Sequence, residues 1–413
     1  MTRAPAAVDD RSYRALLAVP SIGRVLLGMQ ISRIAQTMVG VAMVLFALAT
    51  YHSPALAGLV TFASIAPGLL VSPIAGALLD RHGRVRLVIL DYLIAGGSLA
   101  LIASLALLGL LPAWLLLLIA AVSSLTGPLS ATGLRSLFPL LVPRHLWERV
   151  NAVDSNGYVL ASVVGPPIAG VLVQTWGGPP ALLCMAGLHW LAALVLVGSP
   201  DPRTETDSSG RLLLDAWRGL VYTWRNPTLR ALGFSISVLN LSAGMVTIVV
   251  PLLILERLHE GAAAVGAVFA VQGLFGVAAA FVSGRLDSEG RERAMLFLPM
   301  LGCAAATALL LLGTGSLPAV GLLAILAAMA LNGLLNGPMD IALFTLRQRR
   351  TDQAWMGRAF AVSMSFNFMG FPLGSALAGQ VAGASLEVAI VLGTLACLGA
   401  ALIARFAIPV EGA

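Results

Sequence analysis

The chain has 413 residues, 58% of them hydrophobic and only 11% charged, with a net charge of +6. Soluble domains carry about 25% charged residues, so too few polar side chains exist here to clothe a water-soluble core of this size. All 25 basic residues are arginine and are scattered through short loops rather than gathered on one face, which excludes a nucleic-acid-binding surface and leaves an integral membrane protein.

After a polar start through Arg14, the first apolar segment exceeds a signal-peptide core and reads as a retained transmembrane helix. A span needs about 20 mostly apolar residues. That ruler predicts an all-α chain with twelve spans, near 22–50, 55–79, 87–110, 113–137, 150–174, 180–198, 230–255, 262–286, 294–314, 318–346, 359–383 and 387–408. Tyr51-His52-Ser53-Pro54, Leu111-Pro112 and Trp176-Gly177-Gly178-Pro179 are the tightest turns. With this count, 23 arginines fall on the side of the N-terminus, Arg257 alone on the other, and Arg33 inside a helix. The positive-inside rule then places both termini in the cytoplasm, in a multi-pass protein of the cytoplasmic membrane.

The chain repeats itself at half its length. Asp80, Gly83, Arg84 and Arg86 recur 207 residues later as Asp287, Gly290, Arg291 and Arg293; Gly127-Pro128 recurs as Gly337-Pro338; Arg149, Gly165 and Gly170 recur as Arg358, Gly374 and Gly379. Two six-helix halves in the same orientation follow, residues 1–198 and 230–413. Residues 199–229 join them, first as a flexible polar stretch. A short helix then carries Leu213, Trp217, Leu220 and Trp224 on one face, as expected of a helix lying on the membrane surface.

The loop Gly76-Ala77-Leu78-Leu79-Asp80-Arg81-His82-Gly83-Arg84-Val85-Arg86 resembles the loop signature of the major facilitator superfamily, Gly-x-Leu-Ala-Asp-Arg-x-Gly-Arg-Arg, departing from it at Leu79. Ala161-Ser162-Val163-Val164-Gly165-Pro166-Pro167-Ile168-Ala169-Gly170 is similar to that superfamily's antiporter motif, with two of four glycines replaced by alanine. The resemblance implies two pseudo-symmetric six-helix bundles around a cavity lined by spans 1, 4, 7 and 10. It also implies a cytoplasmic latch around Asp80 and Arg84. In the family an acid on span 4 completes that latch; here Arg135 stands there, so Asp91 and Asp154 are expected to complete the network, Asp91 with Arg135. Gly165-Pro166-Pro167 is expected to seal one face by close packing, or to be ordinary small-residue packing.

Polar residues inside spans are costly and point to function. Span 1 carries Gln30, Arg33 and Thr37 on one face with Gln36 beside it; span 4 carries Ser123, Ser124, Thr126 and Ser130; span 7 carries Asn240; span 10 carries Asn332, Asn336 and Asp340. Arg33 lies about 16 Å into its helix, too deep to snorkel, and Asp340 is its expected partner. The pair is either a permanent ion pair or a site in which Arg33 holds an acidic or polar substrate group and Asp340 exchanges protons. His189 reads as a packed core histidine. Cys184, Cys303 and Cys397 read as small hydrophobes.

Neither a P-loop, a His-Glu-x-x-His sequence nor a metal-ligand cluster is present, so no enzyme activity, cofactor or metal is expected. The expected function is export of a small organic molecule against protons by alternating access, by a monomer whose partners are substrate, protons and lipid. Import, facilitation, lipid flipping and a non-transporting accessory role remain open alternatives.

Overall fold

A chain crossing hydrocarbon must satisfy its backbone hydrogen bonds internally, and this sequence does so with helices. The computed structural model describes residues 12–202, 212–283, 289–352 and 355–409. Among the described residues there is no strand, and eleven helices are long and apolar enough to cross a membrane. They are spans 1 to 10 and 12. Span 11 is the 27-residue helix Met356–Ala382. Spans 1, 3, 5 and 6 are Ile22–Tyr51, Arg84–Leu107, Trp147–Trp176 and Gly178–Leu196. Spans 7, 8, 9, 10 and 12 begin with the helices Pro227–Leu252, Ala262–Ser283, Glu292–Leu309, Pro318–Arg349 and Leu386–Phe406. Two six-helix bundles result. The linker helix Leu212–Arg225 packs on spans 7 and 11 and touches span 2.

Two spans predicted as continuous are broken. Span 2 is Pro54–Ala63 followed by Ala66–His82, and span 4 is Ala113–Ser124 followed by Gly127–Gly133 and a 3₁₀ turn at Arg135–Leu137. Both breaks precede a proline, Pro67 or Pro128, which supplies no N–H and crowds the carbonyl four residues back. Hydroxyls then take up backbone acceptors: Ser64 Oγ donates to Val60 O at 2.8 Å, Ser124 Oγ to Ala121 O at 2.8 Å and Thr126 Oγ1 to Ser123 O at 3.1 Å. The two breaks touch, with Gly68 packed on the carbonyl of Ser124.

The core shows how the halves meet. One buried apolar cluster draws on both halves, from Met38–Leu48 of span 1 to Met245–Leu258 of span 7, and lies wholly toward the arginine-poor face. Toward the arginine-rich face there are two clusters instead. One runs from Leu16 to Leu196 in the first half, the other from Ala231 to Ile408 in the second. The halves share a core at one face and keep separate cores at the other.

Candidate functional site

Shared packing at the arginine-poor face comes from two crossings of the same kind. Span 5 meets span 8, where Gly170 abuts the backbone of Ala262 and Ala263, and Gly266 abuts that of Pro166 and Pro167. Span 11 meets span 2, where Gly379 and Gly58 lie against each other's backbone and Gly58 also against Ser375. A side chain on any of these glycines would push the helices apart. Gln174 Oε1 accepts from Ala263 N at 2.8 Å, so span 5 caps the first turn of span 8. Gly170 and Pro166, picked from the sequence, therefore stand in an inter-half seam. Gly165 instead faces Thr37 of span 1, inside the first half.

Beneath the seam lies a cavity of about 940 Å³. Its wall includes Gln36, Thr37, Ser124, Asn240, Asn332, Asn336 and Asp340 from the expected spans. Asp91 of span 3 is also on the wall, with Ser130, Thr126 and His189 as its polar neighbours. His189 itself lines the cavity, its Nδ1 2.9 Å from Met185 O. Gln272 and Phe269 of span 8 and Phe371 of span 11 complete its character. Sequence reasoning passed over Gln272, although a glutamine in an apolar span is the same signal that singled out Gln36. Asp340 is exposed to the cavity and makes no hydrogen bond or ion pair among the described residues.

Gln30 and Arg33 are elsewhere. The stripe formed by residues 30, 33 and 37 of span 1 faces span 5 along its length. Gln30 Nε2 donates to Gly157 O at 3.1 Å, Arg33 Nη1 to Asp154 O at 2.9 Å and Thr37 Oγ1 to Ala161 O at 3.0 Å. Arg33 Nη2 is 2.5 Å from Asp154 Oδ1 and Arg135 Nη2 is 2.7 Å from Asp154 Oδ2. Both guanidinium groups also lie over the Tyr158 ring, at 3.7 and 4.6 Å from its centroid. Arg33 is thus held by Asp154 rather than Asp340, and Arg135 by Asp154 rather than Asp91. The reason is reach: spans 1 and 5 are packed neighbours, and a long arginine stem carries its head to an acid nearer the helix end.

At the arginine-rich face, Arg84 pairs with Asp80 one turn earlier. Asp201, just after span 6, caps span 3: its Oδ1 accepts from Arg84 N at 2.9 Å and its Oδ2 from Arg86 N at 3.3 Å. Gly83 between spans 2 and 3 has φ +97°, and a β-carbon there would collide with the Asp201 carboxylate. This loop is tied down by its own ion pair and by the first residues of the linker. Gly76 has open space around it, and the Arg81 side chain is exposed. In the second copy Asp287 lies outside the described residues, Gly290 has φ +69°, and Arg291 precedes span 9, where Glu292 pairs with Arg349 of span 10. The linker helix is held mainly by the second half and also touches the Ala66–His82 part of span 2. Tyr222 stacks on Trp355 at 5.0 Å, and Asn226 Nδ2 donates to Arg350 O at 2.8 Å.

Comparison with known proteins supplies what geometry alone does not. The profile of the Major Facilitator Superfamily matches residues 25–375. An uncharacterized MFS-type transporter, y4rN, of Sinorhizobium fredii is 37% identical over 405 residues, 96% of this chain and 97% of that one. The multidrug efflux pump Tap of Mycobacterium tuberculosis is 28% identical over 353 residues, 80% and 79% of the two chains. The crystal structure of the nucleoside transporter NupG shares the fold, with a TM-score of 0.73 at 13% identity over 93% of this chain and 98% of that one.

Proposed function

Because the chain belongs to the Major Facilitator Superfamily, we infer that it is a secondary transporter that exports a small organic molecule by alternating access, exchanging it for protons. The observation that carries this reading is the cavity itself, capped at one face by a shared core and bounded at the other by two separate ones. With the arginine-rich face in the cytoplasm, as the positive-inside rule requires, this arrangement faces inward and is ready to load. Residues 1–198 and 230–413 then act as rocking bodies joined by 199–229. Export is the direction that the relative Tap supports. Proton exchange is assigned to carboxylates on the cavity wall, Asp340 first, because it is exposed to the cavity and unpaired among the described residues.

The test is flux in vesicles with the arginine-rich face outward, against a panel of dyes of either charge. An inside-acid pH gradient should drive dye accumulation, an uncoupler should collapse it, and Asp340→Asn should reduce it to the level of empty vesicles. Accumulation that persists with the gradient dissipated would remove proton exchange; absence of flux for every dye, with folded protein present, would count against transport.

A further inference from the structure

Once Arg33 is held by Asp154, the charge of the cavity changes sign. Among the described residues no arginine is on its wall, and the chain contains no lysine. The ionisable groups that line it among the described residues, apart from two cysteines, are Asp91, Asp340 and His189. Asp91 is 97% buried, with hydroxyls and an imidazole around it but no cation, and Asp340 makes no hydrogen bond or ion pair among the described residues. Carboxylates in a low-dielectric cavity without a counter-charge are expensive to keep ionised and attract any cation that enters. The rest of the wall offers amides and two aromatic rings, Phe269 and Phe371, which suit the apolar body of such a molecule and can face its charge. An anionic substrate would meet repulsion from both halves, with no arginine among the described wall residues to offset it.

We propose that the cavity takes a lipophilic organic cation, with Asp340 of span 10 and Asp91 of span 3 as its counter-charges on the two halves. This deepens the transporter reading and rests on it, but binding can be measured without flux, so the two can fail separately. The decisive pair of probes is tetraphenylphosphonium and tetraphenylborate, close in shape and opposite in charge, titrated against the full-length protein in detergent. Tetraphenylphosphonium should bind saturably and tetraphenylborate should neither bind saturably nor displace it. Asp340→Asn and Asp91→Asn should each weaken the cation about tenfold, equivalent to about 1.4 kcal/mol, while Asp340→Glu keeps most of the affinity. Equal competition by the borate, or undiminished phosphonium affinity in the folded Asp91→Asn/Asp340→Asn double variant, would overturn the assignment. If a variant does not fold, the preference of the wild-type protein between the two ions decides alone.

Discussion

The two halves share a frame but not an interior. In the first, spans 2 and 4 are broken and a charged knot of Arg33, Asp154 and Arg135 ties spans 1, 4 and 5. In the second, span 10 runs unbroken through Gly337-Pro338, although Gly127-Pro128 interrupts span 4. The difference lies just upstream: Ser123, Ser124 and Thr126 offer the backbone alternative bonds, whereas Leu334, Leu335 and Asn336 present no hydroxyl. At the 209-residue offset of spans 5 and 11, Asp154 maps onto Ser363 and Tyr158 onto Asn367. There Asn240, the counterpart of Arg33, donates to Asn367 O at 3.0 Å. With its amide oxygen toward Arg347, Asn367 accepts from Arg347 Nη2 at 2.6 Å. Duplication kept the glycines and prolines that set helix approach and let the polar chemistry diverge.

Removing the acid at the centre of the first knot is the harshest way to test this contrast. Asp154→Ala leaves two guanidinium groups facing each other without their anion and should destabilise the protein by about 3–5 kcal/mol. Ser363→Ala, at the matching place, removes a buried hydroxyl that has no partner among the described residues and should cost less than about 1 kcal/mol. Thermal unfolding in detergent reads both, and equal losses would mean the halves are stabilised alike after all. Next in size are the seams, where the halves do match. Gly170→Leu and Gly379→Leu should each hold the arginine-poor face apart, lengthen spin-label distances across it and lower transport by about tenfold or more. A strongly unequal pair would show that one crossing alone closes that face. A local effect belongs to Asp201→Ala, which removes the cap of span 3 and should cost about 1 kcal/mol. Faster hydrogen exchange at the amides of Arg84 and Arg86, with span 9 unchanged, is the expected signature.

Much of the fold could be read along the chain because its determinants are local or periodic. Apolar length marks each span, arginine marks the face, and paired glycines and prolines mark the duplication. The breaks at Ser64-Ile65 and Leu125-Thr126 escaped because an apolar count runs straight through a proline that has hydroxyls before it. Partner choice escaped for a different reason. The spacing of residues 30, 33 and 37 shows that they share a face but not which helix that face meets. Asp340 has suitable charge for Arg33, yet span 5 is the packed neighbour, and Gly157 and Gly165 make the space that Gln30, Arg33 and Thr37 fill. His189 looked inert in sequence because its span is otherwise apolar; only packing shows that its ring borders the cavity beside Asp91.

The seams at the arginine-poor face carry a consequence for energy coupling. They are built from main-chain apposition and one amide cap, and every ion pair found among the described residues lies within a single half. Parting the helices there breaks none of these pairs, so an electrical potential, worth about 2.3 kcal/mol per elementary charge per 100 mV, finds no described ion pair to pull apart at the seam. Voltage sensitivity of a transport cycle would then have to enter through charges inside the bundles: the Arg33–Asp154–Arg135 knot, the buried Arg347, and the wall carboxylates with the ions that occupy them.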